Sequence, residues 1–342
     1  MKQSIKNKIV RLAVLAAVIP VIISVVVTYV LKEDTSDTII NKMDMIKKKN
    51  VLQIADDVYI MCQASHEMSI TNVKSNLAIA DEHLNEIGKP VLADNKSEWT
   101  IVNQNTKESK AITLPELKIG NLAFNKNYDL NTRTPFVDDM KKMLGGTCTI
   151  FQRINEEGDM LRIATNVVKD KKRAIGTFIP AKNADESPSK VIETVMKGET
   201  YCGMAKVVDE YYITAYKPLK SADGRILGML YVDLRMDYME TLRKNVINIK
   251  VGETGYVYVL GGKGSHKGKY IISKDGATDG KDIWEAKDAD GRLFIQDIVN
   301  AAVKMKPEDK QLFTYPWKNK DETEARNKFA YIRYFEPWDW II

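Results

Sequence analysis

Residues 12–31 form an apolar run that reads LAVLAAVIPVIISVVVTYVL and contains no charged side chain. Its 20 residues, at about 1.5 Å per helical residue, match the roughly 30 Å hydrocarbon core of a bilayer. Four basic residues precede the run: Lys2, Lys6, Lys8 and Arg11. The basic flank of a membrane segment usually faces the cytoplasm. The sequence therefore predicts a cytoplasmic N-terminus over residues 1–11 and a transmembrane helix over residues 12–31.

A cleaved signal peptide begins with the same kind of basic residues, so it is the alternative interpretation of this run. The apolar core of a signal peptide is usually about 7 to 15 residues long, and a small-x-small cleavage site follows it. Residues 12–31 form a longer run, and no such site follows Leu31. A retained anchor is therefore favoured. It predicts a protein of the inner (plasma) membrane with the bulk of the chain periplasmic or extracellular.

The next segment, residues 32–88, is predicted to be a long stalk helix. It contains neither Gly nor Pro before Gly88, and Pro90 follows directly. Apolar side chains recur at steps of three and four in two phases: Val51, Ile54, Val58, Met61 and Met68, then Ile70, Val73, Leu77, Ala80, Leu84 and Ile87. Such steps place each set on one face of a helix. We expect these faces to pack on the chain's own domains, on a second copy, or on both, with a change of partner near Met68.

Composition excludes several functional classes. The 342 residues carry a formal net charge of +5, spread through short groups beside acidic residues. These groups lack interleaved aromatics and indicate solvated faces, so nucleic acid is not an expected partner. The three cysteines, Cys62, Cys148 and Cys202, are widely spaced and form no CxxC pair. Their spacing indicates neither a metal site nor a disulfide framework.

The sequence contains no recognisable catalytic constellation. The histidines His66, His83 and His266 lie in the predicted stalk and in a glycine-rich turn, and the HExxH, GxSxG and Walker patterns are absent. Asp288 and Asp290 begin like a calcium loop, but the later ligands of such a loop are missing, so a turn is favoured. The sequence therefore predicts no enzymatic activity, no cofactor and no metal.

After the stalk, β-branched runs bounded by turn residues predict a sheet in residues 89–237. Two short strands are expected at 98–103 and 111–114, followed by a helix at 137–144. The main strands are predicted at 147–154, 160–168, 200–207, 211–218 and 225–234, with a second helix at 189–196 between the second and third of them. These elements predict a five-stranded antiparallel sheet with a loop and a helix inserted after its second strand.

Residues 238–342 repeat this order of elements. A helix-like segment at 237–248 leads into the repeat. Strands are predicted at 255–260, 269–273, 312–317, 329–335 and from 339 onward, with a helix at 292–303 after the second strand. Two copies of one architecture are the simplest account of this order.

Several segments carry a resemblance to a known family: GGTCTIFQRINEEGDMLRIATNV (145–167), RAIGTFIP (173–180), KGETYCGMAKVV (197–208), YYITAYKPLKSADGRILGMLYVDL (211–234), VGETGYVYVLGGKG (251–264), DGKDIWEAKDADGRLFIQDIV (279–299), YPWKN (315–319) and YFEPWDWII (334–342). Together they resemble the double Cache ectodomains of bacterial methyl-accepting chemotaxis receptors, in particular the fusion of a type-three with a type-two Cache module. The resemblance implies an α+β fold. In it, two tandem PAS-like modules, each with a central antiparallel sheet, follow the transmembrane and stalk helices.

The resemblance also implies a function. Such receptors bind a small ligand outside the cell, usually as homodimers with adjacent stalk helices, and signal inward. A second transmembrane helix and a cytoplasmic signalling part follow the membrane-proximal module, so we expect them beyond Ile342. The same ectodomain occurs in histidine kinases and cyclases. A membrane-tethered periplasmic binding protein or hydrolase is the alternative from another class.

In Cache-like modules the ligand lies on the concave face of the sheet, beneath the loop and helix that follow the second strand. Strand alternation and the covering loop place seven residues of the membrane-distal module near that face: Arg162, Thr165, Arg173, Thr177, Tyr212, Thr214 and Tyr216. A desolvated Arg pairs with a carboxylate through two parallel hydrogen bonds. Small organic anions are therefore the expected ligands, although any of these residues could instead face water or fill the core.

A second candidate site lies in the membrane-proximal module. It comprises Tyr256, Ser273, Trp284, Trp317, Lys328 and Tyr331, a set of aromatics with one Lys that could hold a small acid. Strand aromatics are often packing residues, which is the competing interpretation. Type-two modules that bind carboxylates often carry a His-Pro pair at the end of the second strand, where this chain has Ser273 and Lys274. The membrane-distal module is therefore favoured.

Overall fold

A computed structural model describes residues 5–208, 210–234, 237–318 and 323–342 of the chain. Within these ranges, the side chains of residues 5–13, 15, 17, 31–37, 210 and 237–239 lie outside the description. The described α-helices are α1 (Ile5–Ile87), α2 (Val137–Leu144), α3 (Lys190–Met196), α4 (Asp237–Asn248) and α5 (Phe294–Ala302). The fold is mixed α+β, and its largest element besides α1 is a mainly antiparallel sheet.

Helix α1 continues without interruption for 83 residues, through both the predicted membrane segment and the predicted stalk. It ends before Gly88, whose φ of 144° is outside the range that other residues readily adopt. Within the described residues, no helix is both long enough and apolar enough to cross a membrane. Several side chains of the predicted span lie outside the description, at residues 12, 13, 15, 17 and 31. The transmembrane assignment of residues 12–31 stays a prediction.

The first half of the chain builds one large sheet. Its strands are β1 (Pro90–Asn103), β2 (Ser109–Ile119), β3 (Leu122–Ala123), β4 (Cys148–Arg153), β5 (Met160–Thr165), β6 (Val168–Lys169), β7 (Lys172–Arg173), β8 (Thr177–Ile179), β9 (Tyr201–Val207), β10 (Glu210–Lys220) and β11 (Ile226–Asp233). Nine of them form a sheet of order β3-β2-β1-β8-β5-β4-β11-β10-β9, while β6 and β7 pair separately. Only the β1 and β8 pairing in this sheet is parallel among the described strands.

The sheet is wider than the predicted five strands. β1 and β2 are long strands of 14 and 11 residues that pair with each other, and β8 joins β1 to β5. β1 continues through the polar stretch 94–97, with a register shift between Leu92 and Lys96. The local pattern there has no apolar alternation, so the sequence does not predict a strand at this point. The strand resumes its pairing with β2 at Lys96 and Ser97, after the irregularity.

The second half builds a smaller arrangement from β12 (Lys250–Val251), β13 (Gly255–Tyr256), β14 (Val259–Gly261), β15 (Tyr270–Ile272), β16 (Gln311–Trp317), β17 (Arg326–Ile332), β18 (Tyr334–Phe335) and β19 (Trp340–Ile341). A four-stranded sheet has the order β15-β14-β19-β18, and β16 pairs with β17 in a separate hairpin. Arg333 lies between β17 and β18 and exchanges two backbone hydrogen bonds with Ile342, at 3.1 and 2.9 Å.

The two halves share a strand order. In the first half, five strands have the spatial order β5-β4-β11-β10-β9, which is 2-1-5-4-3 when they are numbered along the chain. The second half has the same order, with β15-β14-β19 followed by β18 and β17 as one interrupted strand and then β16. The second copy is less regular than predicted, because its fourth strand is interrupted at Arg333 and its first strand begins only at Val259. The boundaries at residues 89–237 and 238–342 stay a prediction.

Helix α1 packs on the two halves in succession, as its change of phase near Met68 predicts. Tyr59 and His66 contact Phe335, which belongs to the four-stranded sheet. Further along, Asp81 accepts a hydrogen bond of 2.6 Å from Lys217 on β10 of the nine-stranded sheet. One apolar core therefore runs along α1 beneath both sheets.

The ion pair between Lys217 and Asp81 is expected to contribute little to stability. Its side chains are 41% and 22% exposed, so solvent screens the attraction. Lys217→Met should lower the free energy of unfolding by less than about 1 kcal/mol, as measured by urea denaturation. A loss that is several times larger and insensitive to added salt would show that the pair does more than an ordinary surface contact.

Candidate ligand-binding site

The two faces of the nine-stranded sheet have different roles. Ile150, Leu161 and Leu230 belong to the core beneath α1. Their neighbours Phe151 and Tyr231 point the opposite way, into a second core that α3 covers. Because side chains alternate along a strand, Arg162 and Tyr216 lie on this second face. It is the face where the sequence predicted the ligand.

Arg162 is the largest fully buried side chain in the described structure, with 1% of its surface exposed. Its guanidinium carbon lies 4.8 Å from the centre of the Phe151 ring, and Nη1 donates a hydrogen bond to Thr177 Oγ1. Nε is buried and makes no hydrogen bond. Among the described side chains, no carboxylate lies within ion-pair distance of Arg162. The sheet therefore holds a buried cation that has no counter-ion among the side chains the structure describes.

This arrangement is energetically costly in the absence of an anion. Removal of a cation from water costs several kcal/mol per ion even after relaxation. The contact between the desolvated Arg162 guanidinium and the face of the Phe151 ring offsets about 2 kcal/mol of this cost. Burial accordingly lowers the pKa of the Arg162 guanidinium from its ordinary value. An anionic ligand would supply the missing counter-charge.

Aromatic rings form the walls around this cation. The centre of the Tyr216 ring lies 4.9 Å from that of Tyr231 and 6.1 Å from that of Tyr201. The Tyr216 hydroxyl is buried and makes no hydrogen bond of standard geometry, whereas the Tyr231 hydroxyl donates to Asp233 Oδ2 at 2.8 Å. Burial raises the pKa of both Tyr216 and Tyr231, so both phenols stay protonated. Tyr216 therefore offers a spare donor beside Arg162.

Arg173, the other predicted anion-binding residue, uses its donors in hydrogen bonds within the protein. Its two terminal nitrogens donate to the two carboxylate oxygens of Asp138, each at 2.8 Å. Its remaining hydrogen bonds go to the backbone carbonyls of Asp129, Thr132 and Thr165. The guanidinium thus fastens the 129–138 segment to the sheet, and no donor remains directed at a ligand.

Two predicted hydroxyl groups are likewise engaged inside the sheet. Thr165 Oγ1 lies 2.6 Å from Thr149 Oγ1, and Thr214 Oγ1 donates to the Gly203 carbonyl at 3.0 Å. Tyr212 is only half-buried. Thr177 Oγ1 accepts from Arg162 and donates to the Ala174 carbonyl at 2.8 Å, so it supports the guanidinium. Of the seven predicted residues, Arg162 and Tyr216 thus remain as neighbouring side chains with unsatisfied polar atoms that could face a ligand.

The second candidate site is brought together only in part. Trp317 lies beside Phe294, with ring centres 5.6 Å apart, and Phe294 stacks on Tyr315 at 4.4 Å. Tyr256 is 38% exposed at the edge of this aromatic group, 6.2 Å from Tyr258 between ring centres. Lys328 pairs across the hairpin with Tyr315, so both lie on one face.

Tyr331 and Ser273 are placed elsewhere, whereas Trp284 packs on the same core as Phe294 and Tyr315. Tyr331 is three residues from Lys328 on β17 and therefore points to the opposite face of the hairpin. Ser273 forms a turn, donating to Asp279 Oδ1 at 2.7 Å. Lys267 lies 4.1 Å from the centre of the Trp284 ring and covers it.

A cleft of about 490 Å³ lies away from both sites, between α1 and the strands β9 and β10. It is lined by Lys74, Leu77, Ala78, Asp81, Thr200, Cys202 and Lys217. Lys217 and Asp81 in this cleft already pair with each other and neutralise each other's charge. The cleft is therefore a weaker candidate for binding a charged ligand than the Arg162 site.

The family is settled by a comparison of the whole chain with family models. The model described as the Cache 3/Cache 2 fusion domain matches residues 36–342. The chain belongs to this Cache family. The resemblance drawn from the segments between residues 145 and 342 is thereby confirmed.

Solved structures of Cache sensors are more distant. The ligand-binding domain of the Campylobacter jejuni chemoreceptor Tlp3, crystallised with 4-methylisoleucine, is 13% identical, with 86% of this chain and 89% of that chain covered and a TM-score of 0.41. A methyl-accepting chemotaxis protein from Vibrio parahaemolyticus is 17% identical, with 32% and 69% covered and a TM-score of 0.26. A Cache chemosensory domain described as recognising carboxylic acids is 20% identical, with 31% and 69% covered and a TM-score of 0.26. No curated protein matches the chain.

Sequence reasoning missed three residues that shape the candidate site of this Cache chain. Phe151 pairs with Arg162 across β4 and β5, where a register shift follows Ile150. Tyr231 pairs with Tyr216 across β10 and β11. Asp233 accepts hydrogen bonds from the Tyr231 hydroxyl and from Thr147, while burial raises the pKa of its carboxyl. Phe151 and Tyr231 could have been predicted by pairing the strands of the predicted hairpins residue by residue.

Proposed function

We propose that this Cache chain is the extracytoplasmic sensor of a membrane chemotaxis receptor and that it binds a small organic anion at Arg162. The observation that carries the proposal is the fully buried Arg162, which has no carboxylate partner among the described residues. Charge-assisted hydrogen bonds to such a group contribute about 1.5–3 kcal/mol each. A ligand carboxylate would occupy the position of the missing counter-ion, with Thr177 and Tyr216 beside it.

The signalling route in this proposal follows β10. Tyr216 lies on the ligand face, and the next residue, Lys217, bonds Asp81 of α1 on the other face. A ligand that moves Tyr216 would therefore pull on α1 through an adjacent residue. From there the proposal follows the prediction from sequence: a homodimer through adjacent stalk helices, a membrane segment over residues 12–31 and signalling partners in the cytoplasm.

A thermal-shift panel on the full 342-residue chain tests this function. Acetate, succinate and citrate are each compared with the neutral amide of the same acid. We expect at least one carboxylate, but not its amide, to raise the melting temperature. At 100 times its dissociation constant a ligand adds about 2.7 kcal/mol to the free energy of unfolding. If amines or neutral compounds stabilised the chain and no carboxylate did, the anion assignment would be wrong.

A further inference from the structure

His66 lies where α1 meets the last residues of the chain. Its ring centre is 5.9 Å from that of Phe335 and 5.8 Å from that of Trp338, both in edge-to-face orientation. His66 Nδ1 and Trp338 Nε1 are both buried, and neither makes a hydrogen bond. Trp338 packs in turn on Trp340, 4.9 Å away between ring centres. A half-buried ionisable ring, with its Nδ1 turned inward, thus forms part of an aromatic joint between α1 and the four-stranded sheet.

The two unpartnered nitrogens constrain the charge of His66. An indole N–H can only donate, and Nδ1 can accept only while the imidazole is neutral. Protonation would place a second proton donor, at Nδ1, in the buried part of the joint, where the indole N–H already lacks an acceptor. Burial of a donor without an acceptor costs about 1–3 kcal/mol. The joint therefore fits neutral His66 and opposes the protonated ring.

No carboxylate in the described surroundings is placed to stabilise a protonated His66 within the joint. On α1, the exposed carboxylate of Glu67 raises the pKa of His66 and so opposes the effect of burial. Burial has the larger effect and lowers the pKa of His66. It also raises the pKa of the Cys62 thiol to about 12, so this neighbour on α1 stays neutral.

Charged groups on the facing elements have other partners or face solvent. Arg333 pairs with Asp56 at 3.0 Å, and the Tyr334 hydroxyl donates to Asp339 at 2.8 Å. Several further charged groups on described elements that contact α1, or near the end of the chain, are exposed or paired elsewhere: Glu336, Lys206 on β9, and Arg243 and Lys244 on α4. Acidification therefore acts on the joint mainly through His66.

We propose that the contact of His66 with Phe335 and Trp338 is a pH-sensitive joint that releases the C-terminal strands from α1 when His66 is protonated. The proposal is independent of the ligand at Arg162, because it concerns the other half of the chain. Helix α1 contacts both sheets, so loosening this joint removes contacts between α1 and the C-terminal strands. In the proposed sensor, α1 is the helix that carries the signal. The device would make the response of the sensor depend on external pH.

The sign of the effect follows from linkage. His66 has a lowered pKa when the joint is closed and an ordinary value of about 6.5 when it is open. The open state therefore binds more protons, so closure is fully favoured above that ordinary value and weakens as the pH falls below it. A loss of tenfold in the closing equilibrium corresponds to about 1.4 kcal/mol.

Hydrogen exchange of the full chain tests the proposal. Protection of the amides of residues 333–342 is measured at pH 7.5 and pH 5.0 and corrected for intrinsic exchange. We expect it to fall several-fold in the wild type and much less in His66→Phe, which fills the joint without a titrating group. His83→Phe, at an exposed position paired with Glu86, should behave like the wild type.

A second variant keeps the test decisive if His66→Phe folds poorly. Trp338→Phe retains an aromatic ring and His66, but removes the indole donor. Its protection at pH 7.5 should be similar to that of the wild type, with a smaller drop at pH 5.0. Equal pH dependence in the wild type, His66→Phe and Trp338→Phe would overturn the proposal, as would the absence of any drop in the wild type.

Discussion

Arg162→Met is expected to raise the free energy of unfolding by about 1–4 kcal/mol, because it replaces a buried, uncompensated charge with an apolar side chain of similar length. Arg162 is fully buried, and its nearest wall is the Phe151 ring. A methionine fits among such rings, since its flexible thioether fills irregular gaps and contacts aromatics favourably. Urea denaturation of the ligand-free chain measures this gain.

The same substitution is expected to abolish the thermal shift caused by organic acids. A variant that is more stable but shows no thermal shift has lost binding without losing its fold. A damaged fold would instead lower both the stability and the thermal shift. Arg162→Lys is the matched control, since it keeps the charge but removes the two parallel donors that fit a carboxylate. We expect it to bind more weakly than the wild type but better than Arg162→Met. If Arg162→Met were destabilised and bound anions normally, Arg162 would be a packing residue only.

Arg173→Met is expected to have the opposite effect and to lower the free energy of unfolding by about 3–5 kcal/mol. Its guanidinium pairs with Asp138 through both carboxylate oxygens, and the two side chains are only 4% and 17% exposed. Removing the Arg leaves the carboxylate without its charged partner and takes one donor from each of three backbone carbonyls. Equilibrium unfolding in urea measures the loss.

Two controls define what this loss means. Arg133 pairs with Asp139 on the surface, 62% and 39% exposed, so Arg133→Met should change stability very little. In the double variant Arg173→Met/Asp138→Leu the stranded carboxylate is absent, and part of the lost stability should return. A small loss in Arg173→Met, comparable with that of Arg133→Met, would contradict the assignment of Arg173 as an internal fastener.

The sequence predicted the elements that depend on local pattern. The apolar steps of α1 indicated a helix to residue 87, and the structure has one helix over Ile5–Ile87. Alternation in β5 and β10 placed Arg162 and Tyr216 on one face, and the structure has both in the same buried cluster. Periodicity is a property of neighbouring residues, so it can be recognised without the fold.

Long-range partners could not be recognised in this way. The sequence predicts Arg173 as a ligand-binding residue, because nothing in its local pattern points to its partner Asp138, which lies 35 positions earlier in the chain. The width of the sheet was missed because β8 supplies only three residues, Thr177–Ile179, to join β1 to the rest. Arg162 lacks such a partner among the described residues, and this difference from Arg173 is visible only in the folded chain.

The most direct test of the Arg162 assignment is a crystal structure of the wild-type chain grown with the carboxylate that stabilises it most. We expect a carboxylate oxygen of the ligand within about 3.2 Å of a guanidinium nitrogen of Arg162, beneath α3 and between Phe151 and Tyr216. A ligand bound against Trp317 and Lys328, or an acidic side chain of the chain itself paired with Arg162, would contradict the assignment.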